Sequence, residues 1–140
     1  MQLKPSLTQS EVEQAMRGAV AQARQNGWAV AVAVVDDGGH PLALERLDGC
    51  APLAAYICIE KARAAALGRR ESKAYEDMIN GGRTAFLSVS SIGGMLEGGI
   101  PIVVEGQVVG AVGVSGVSAA DDARVAQAGA VAVQVGGLGG

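Results

Sequence analysis

The chain has 140 residues, a net charge of -3 and 49% hydrophobic residues, so one domain with a substantial core is expected. Lys and Arg are not clustered into the basic stripe that nucleic acid requires, and no apolar window approaches the roughly 18–20 residues of a membrane span. Only four residues are aromatic, so the core must be packed mainly with Ala, Val, Leu and Ile.

The N-terminal residues show no apolar h-region or cleavage site, and a cytoplasmic chain is expected. Thr8-Gln9-Ser10-Glu11 reads as a capping box. Val12, Ala15, Met16, Ala19, Val20 and Ala23 then share one helical face, which predicts a helix to about residue 25, stopped by Asn26-Gly27. Residues 28–35 are rich in Ala and Val and too short for most helices, which predicts a strand buried on both faces. Asp37-Gly38-Gly39 is turn chemistry, and residues 41–47 return as a second strand to form a hairpin. A helix is expected over about 52–67, with Pro52 in its first turn, and a shorter one over 72–80, stopped by Gly81-Gly82. Residues 84–94 fit no pattern clearly. Residues 100–104 and 107–114 flank Glu105-Gly106 as a second hairpin. Ser118-Ala119-Ala120-Asp121 opens a last helix reaching about residue 135, followed by a glycine-rich tail expected to fray. Two hairpins with intervening helices predict an antiparallel sheet covered by helices, in a single domain over 1–140.

Several stretches resemble the GlcG/HbpS family. Val34-Val35-Asp36-Asp37-Gly38-Gly39-His40 with Leu44-Glu45-Arg46-Leu47-Asp48-Gly49 is similar to its first hairpin. Glu60-Lys61-Ala62-Arg63-Ala64-Ala65 is similar to its helical Lys-Ala segment. Gly98-Gly99-Ile100-Pro101-Ile102 and Val109-Gly110-Ala111-Val112-Gly113-Val114-Ser115-Gly116 are similar to its second hairpin, and Asp121-Asp122 with the Ala-rich helix complete the set. The resemblance implies an α+β, profilin-like fold with an antiparallel sheet of about five strands flanked by helices. It also implies a homo-oligomer (dimer, tetramer or octamer) and kinship with the C-terminal domain of PduO-type adenosyltransferases. It implies a small-molecule ligand and a role accessory to a catabolic pathway; the cofactor stays open, with haem or another tetrapyrrole as candidates.

Individual residues carry two readings each. Gly98 and Gly99 permit positive φ, so their N–H groups could gather a carboxylate, with Pro101 fixing the exit; a tight strand entry explains them equally. Ser115 ends the last strand, where a hydroxyl meets ligands or satisfies local backbone. Lys61 lies in an apolar helical run, where an amine needs an anionic partner or must reach water. Arg46 and Asp48 fall on one face of a strand, as a gate or an ion pair. Asp121 and Asp122 stand in the first turn of the last helix, where acids complement the dipole. The binding reading assigns Arg46, Lys61, Gly98, Gly99, Pro101 and Ser115 to a ligand. The enzyme reading, an isomerase or hydrolase of a small organic acid, uses Lys61 with Asp48 or Asp122 as acid and base. His40 is the only histidine and lies in a turn, and neither it nor Cys50 and Cys58 match a zinc spacing, so no metal site is expected within one chain. Cys50, Cys58, Tyr56 and the methionines are the other candidate haem ligands.

Overall fold

A computed structural model describes residues 1–133. The elements run α1 (Gln9–Asn26), β1 (Ala31–Asp36), β2 (Pro41–Arg46), α2 (Leu53–Gly68), α3 (Lys73–Asn80), a 3-10 helix (Thr84–Ser88), β3 (Gly99–Val104), β4 (Gln107–Ser115) and α4 (Ala119–Val131). The ambiguous stretch contains that 3-10 helix. The last helix stops at Val131, short of the expected residue 135; that position and the glycine tail lie outside the described residues.

The cap chemistry read from the sequence sets the helix ends. The Glu11 carboxylate accepts from the Thr8 N–H at 3.0 Å and from its hydroxyl at 2.6 Å. Gly27 closes α1 at φ 70°, and the Ser118 hydroxyl accepts from the Asp121 N–H at 3.2 Å to open α4. The end of α2 differs from the glycine rule: Arg69, at φ 58°, takes the left-handed position in place of Gly68. Gly68 is reserved for another purpose, because a Cβ there would lie 1.9 Å from the Tyr75 hydroxyl oxygen.

The described strands form one antiparallel sheet in the order β2-β1-β4-β3. This is four strands rather than the five or so implied by the family resemblance; the two hairpins supply all of them. Period-two alternation sends the side chains of β1 into two cores. Val30, Val32 and Val34 join α1 and α4 with Val112, Val114, Ile100 and Ile102. Ala31 and Ala33 meet Ala54 and Cys58 of α2, and Val35 meets Ala62, Ala65 and Ala66.

The second core is thin because its side chains are small. A Cβ at Gly113 would lie 2.0 Å from the Cys58 carbonyl oxygen, and one at Gly99 would lie 2.1 Å from that of Lys61. The backbone of α2 therefore rests directly on β3 and β4, with glycine making the contact possible.

Both sheet edges are blunted. The Val114 N–H donates to the Gly98 carbonyl at 3.0 Å, so the alternation of an antiparallel ladder turns the polar groups of Gly99 and Pro101 outward. Buried Ser72 satisfies Gly99, accepting its N–H on Oγ at 2.8 Å and donating its own N–H to the Gly99 carbonyl at 3.0 Å. Proline has no N–H to offer, so β3 is a poor template for a further strand. On β2 a bulge between Val34 and Val35 leaves Leu42 unmatched, beside Pro41 and the charged pair Glu45-Arg46.

The first hairpin turn is held by Asp36. Its Oδ1 accepts the N–H groups of Gly38 and His40, each at 2.9 Å, and the His40 ring lies at 3.0 Å. Burial works to raise the Asp36 pKa, but the hydrogen bonds and the ring outweigh it and hold it below the ordinary 3.8.

Two outcomes follow. Gly113→Ala is expected to destabilise the fold by about 3 kcal/mol or more, whereas Gly27→Ala, with open space and only an unfavourable φ, costs about 1 kcal/mol; urea denaturation measures both. Because folded Asp36 gives up its proton more readily than unfolded Asp36, its contribution is complete above about pH 4 and fades as pH falls through the lower folded value. Asp36→Asn therefore lowers stability at pH 7 and flattens the acid limb of a stability–pH profile.

Candidate functional site

Strand register gathers most of the expected site residues at one end of the sheet. Ala31, at the start of β1, pairs with Arg46 at the end of β2 and with Ser115 at the end of β4. Gly99, at the start of β3, pairs with Gly113. Lys61 of α2 reaches this end from one sheet face and Asp122 of α4 from the other.

The Lys61 amine donates to the Val114 carbonyl at 3.0 Å and to Asp122 Oδ2 at 3.1 Å. The side chains of this ion pair are only 5% and 3% exposed. Asp122 Oδ1 accepts the Val117 N–H at 3.0 Å. Burial pushes the Asp122 pKa above its ordinary value, against the opposing pull of the Val117 N–H and the Lys61 charge. An ammonium has three N–H donors, and among the described residues this one has two acceptors. Gly98 permits this close approach: at φ 134° the position favours glycine, and a Cβ would collide with the Lys61 nitrogen at 2.9 Å and the Val114 oxygen at 2.7 Å.

The other expected residues fall at varying depth. Ser115 is buried at the strand end. Gly116, at φ 143°, follows it, and a Cβ there would press on the Ala29 carbonyl at 2.7 Å and the Cys50 sulfur at 3.3 Å. Arg46 is exposed, and its charge opposes the rise that burial gives the Cys50 thiol, a rise to which Asp122 adds. Asp48 is also exposed and lines a groove of about 310 Å³ with Arg24, Trp28 and Leu47. It forms no ion pair with Arg46 among the described residues; Asp122 is the carboxylate that meets Lys61. The Gly99 N–H points to Ser72, not toward Lys61, so the glycine pair does not present two free amides. Pro101 lines a groove of about 410 Å³ between β3 and α4 with Glu71, Ile100 and Gln127. Asp121, unlike its neighbour, faces outward and pairs with Arg124 at 3.4 Å.

Two features escaped the sequence reading. Ser72 appeared only as a helix start, yet it stitches Gly99 to Leu96. Glu60 and Arg63 pair on the flank of α2, and together they hold the Gly93 N–H and the Ser91 carbonyl, which straps the irregular segment down. The helix start marked Ser72, but its side chain makes no cap hydrogen bond, and nothing in the linear order points to its partners.

Residues 7–131 match the family described as Haem degrading protein HbpS-like. The chain belongs to that family. Protein GlcG of Escherichia coli K12 is 55% identical over 115 residues, covering 82% of this chain and 85% of GlcG. The crystal structure of Klebsiella pneumoniae protein ORFY superposes with a TM-score of 0.88 at 25% identity, over 96% of this chain and 95% of ORFY. A double mutant of Streptomyces reticuli HbpS gives 0.87 at 28% identity, over 96% and 91%.

Removing one member of a buried ion pair leaves the other unpaired. Lys61→Met and Asp122→Leu are each expected to cost about 3–5 kcal/mol in urea denaturation, while the double variant costs clearly less than their sum.

Proposed function

We propose that this HbpS-like chain is a small-ligand-binding protein, accessory to a catabolic pathway, whose ligand presents a carboxylate at the Lys61 end of the sheet. The observation that carries the reading is the buried Lys61 amine, with three donors, two acceptors among the described residues, and a glycine packed against it. An anionic oxygen is the complement of the remaining donor. Arg46 adds a second, exposed positive charge at the same end. The accessory role rests on the family resemblance alone.

The family description makes a tetrapyrrole the first ligand to consider, because its propionates are carboxylates. Ligation of haem iron is a separate matter, and neither the histidine nor the cysteines nor Tyr56 is well placed for it. His40 belongs to the first hairpin turn, at the opposite end of β1, and is engaged with Asp36. The Cys58 thiol is pushed up to about 12 by burial and donates to the Ala55 carbonyl. The Cys50 thiol is raised as well, and Tyr56 stands 73% exposed on α2. The proposal therefore rests on recognition of the carboxylates rather than of iron. The enzyme reading is weaker: Lys61 and Asp122 do meet, but each neutralises the other as an ion-pair partner.

Absorbance titrations with haemin and with iron-free protoporphyrin IX test the proposal. Both are expected to saturate with similar affinity, and Arg46→Ala, an exposed change that spares the fold, weakens both by about tenfold, the worth of one charge-assisted contact. Binding of haemin alone would assign the ligand to iron chemistry, and saturation unaffected by Arg46→Ala would place it elsewhere.

A further inference from the structure

The opposite end of the sheet carries a second constellation with different chemistry. There the N-terminal segment, the end of α2 and the second hairpin enclose a groove of about 390 Å³, lined by Gln2, Lys4, Arg69, Gly106, Gln107 and Val108. Every polar side chain in that lining can donate hydrogen bonds, and none is acidic.

Backbone strain is concentrated here. Among the described residues, the two non-glycine positions with positive φ are Arg69 at 58° and Glu105 at 50°. Arg69 lines the groove. Glu105 forms the hairpin turn with Gly106 and is not part of the lining. A left-handed residue with a side chain costs about 1–2 kcal/mol, and glycine ordinarily fills this position at a helix end. The strained geometry here aims a guanidinium. Arg69 Nη1 donates to the carbonyls of Asp37 at 2.5 Å and Ala66 at 2.7 Å, and Nη2 lies 3.7 Å from the Asp37 carboxylate. Lys4 binds the same carboxylate oxygen. Two cations thus share one acid, which fixes their positions and leaves a net positive charge. Both keep donors toward solvent, with side chains 62% and 49% exposed.

We propose that this groove is a binding site for a phosphate-class anion, separate from the Lys61 end. Its donors, Gln2, Lys4, Arg69 and Gln107, come from three chain segments. That arrangement matches the several oxygens of a tetrahedral oxyanion better than the two coplanar oxygens of a carboxylate. The paired Asp37 carboxylate pre-positions the cations and moderates affinity. The charge balance of the chain, -3, and the small extent of the patch favour a single phosphoryl group over a polyanion.

Thermal melting of the full chain in sodium phosphate, sodium acetate and sodium chloride at matched ionic strength and pH tests this. Phosphate is expected to raise Tm saturably above the chloride value, with acetate indistinguishable from chloride. Lys4→Gln abolishes the phosphate-specific rise. Gln107→Leu, which leaves the Lys4–Asp37–Arg69 contacts intact, shifts its midpoint at least tenfold to higher phosphate. Equal melting in phosphate and chloride, an equal effect of acetate, or an unchanged phosphate response in either variant overturns the proposal. None of these results bears on tetrapyrrole binding at the other end.

Discussion

The seating of α2 against the sheet is the constraint from which the rest of the architecture follows. Side chains normally hold a helix away from the backbone of the strands it covers. Here Gly99 and Gly113 present bare backbone to the Lys61 and Cys58 carbonyls, and the facing residues are mostly alanine. Contact at this distance gains dispersion energy over the whole length of the helix and excludes water from it. It also leaves no room for a larger residue at Gly99 or Gly113, which fixes the helix where Cys58 and Lys61 meet the sheet.

The depth of Lys61 is a consequence of that seating. A lysine on a helix held further out would snorkel to solvent. This one ends between a β4 carbonyl and an α4 carboxylate, so a single amine ties α2, β4 and α4 together at the end of the sheet. Desolvation of both charges offsets much of their attraction, and such a pair contributes less to net stability than to excluding arrangements that leave either charge alone.

The sheet separates two kinds of chemistry along its strands. One end has the buried pair, the Gly98 and Gly116 turns and the Cys50 thiol; the other has an exposed network of Lys4, Asp37 and Arg69 around strained backbone. The sheet edges contribute neither. Ser72 and Pro101 close one, and a bulge with Pro41 and adjacent charges closes the other, so backbone pairing with another chain is disfavoured along both sides. Apolar surface remains on side chains instead, with Leu53 and Tyr56 exposed on α2 and Leu42 and Leu44 on β2.

The start of α1 and of α4, the end of α1, the hairpin turns and the two-core character of β1 were legible in the linear order, because they depend on local chemistry. Thr8 and Glu11, Asn26-Gly27, Ser118 and Asp121, and the alternation of Val30 through Val35 act within a few residues of themselves. The family was legible for a related reason: its motifs are those same turns and strands in fixed order. The lysine in an apolar run announced that it needed a partner, but the choice of Asp122, 61 residues away in sequence, over Asp48 was settled by how the two sheet faces are covered. The commitment of Gly99 to Ser72, the displacement of the left-handed cap from Gly68 to Arg69 by the Tyr75 hydroxyl, and the strap from Glu60 and Arg63 are likewise tertiary. Each turns on which distant atom occupies a particular few cubic ångströms, and such occupancy is determined only when all the elements pack at once.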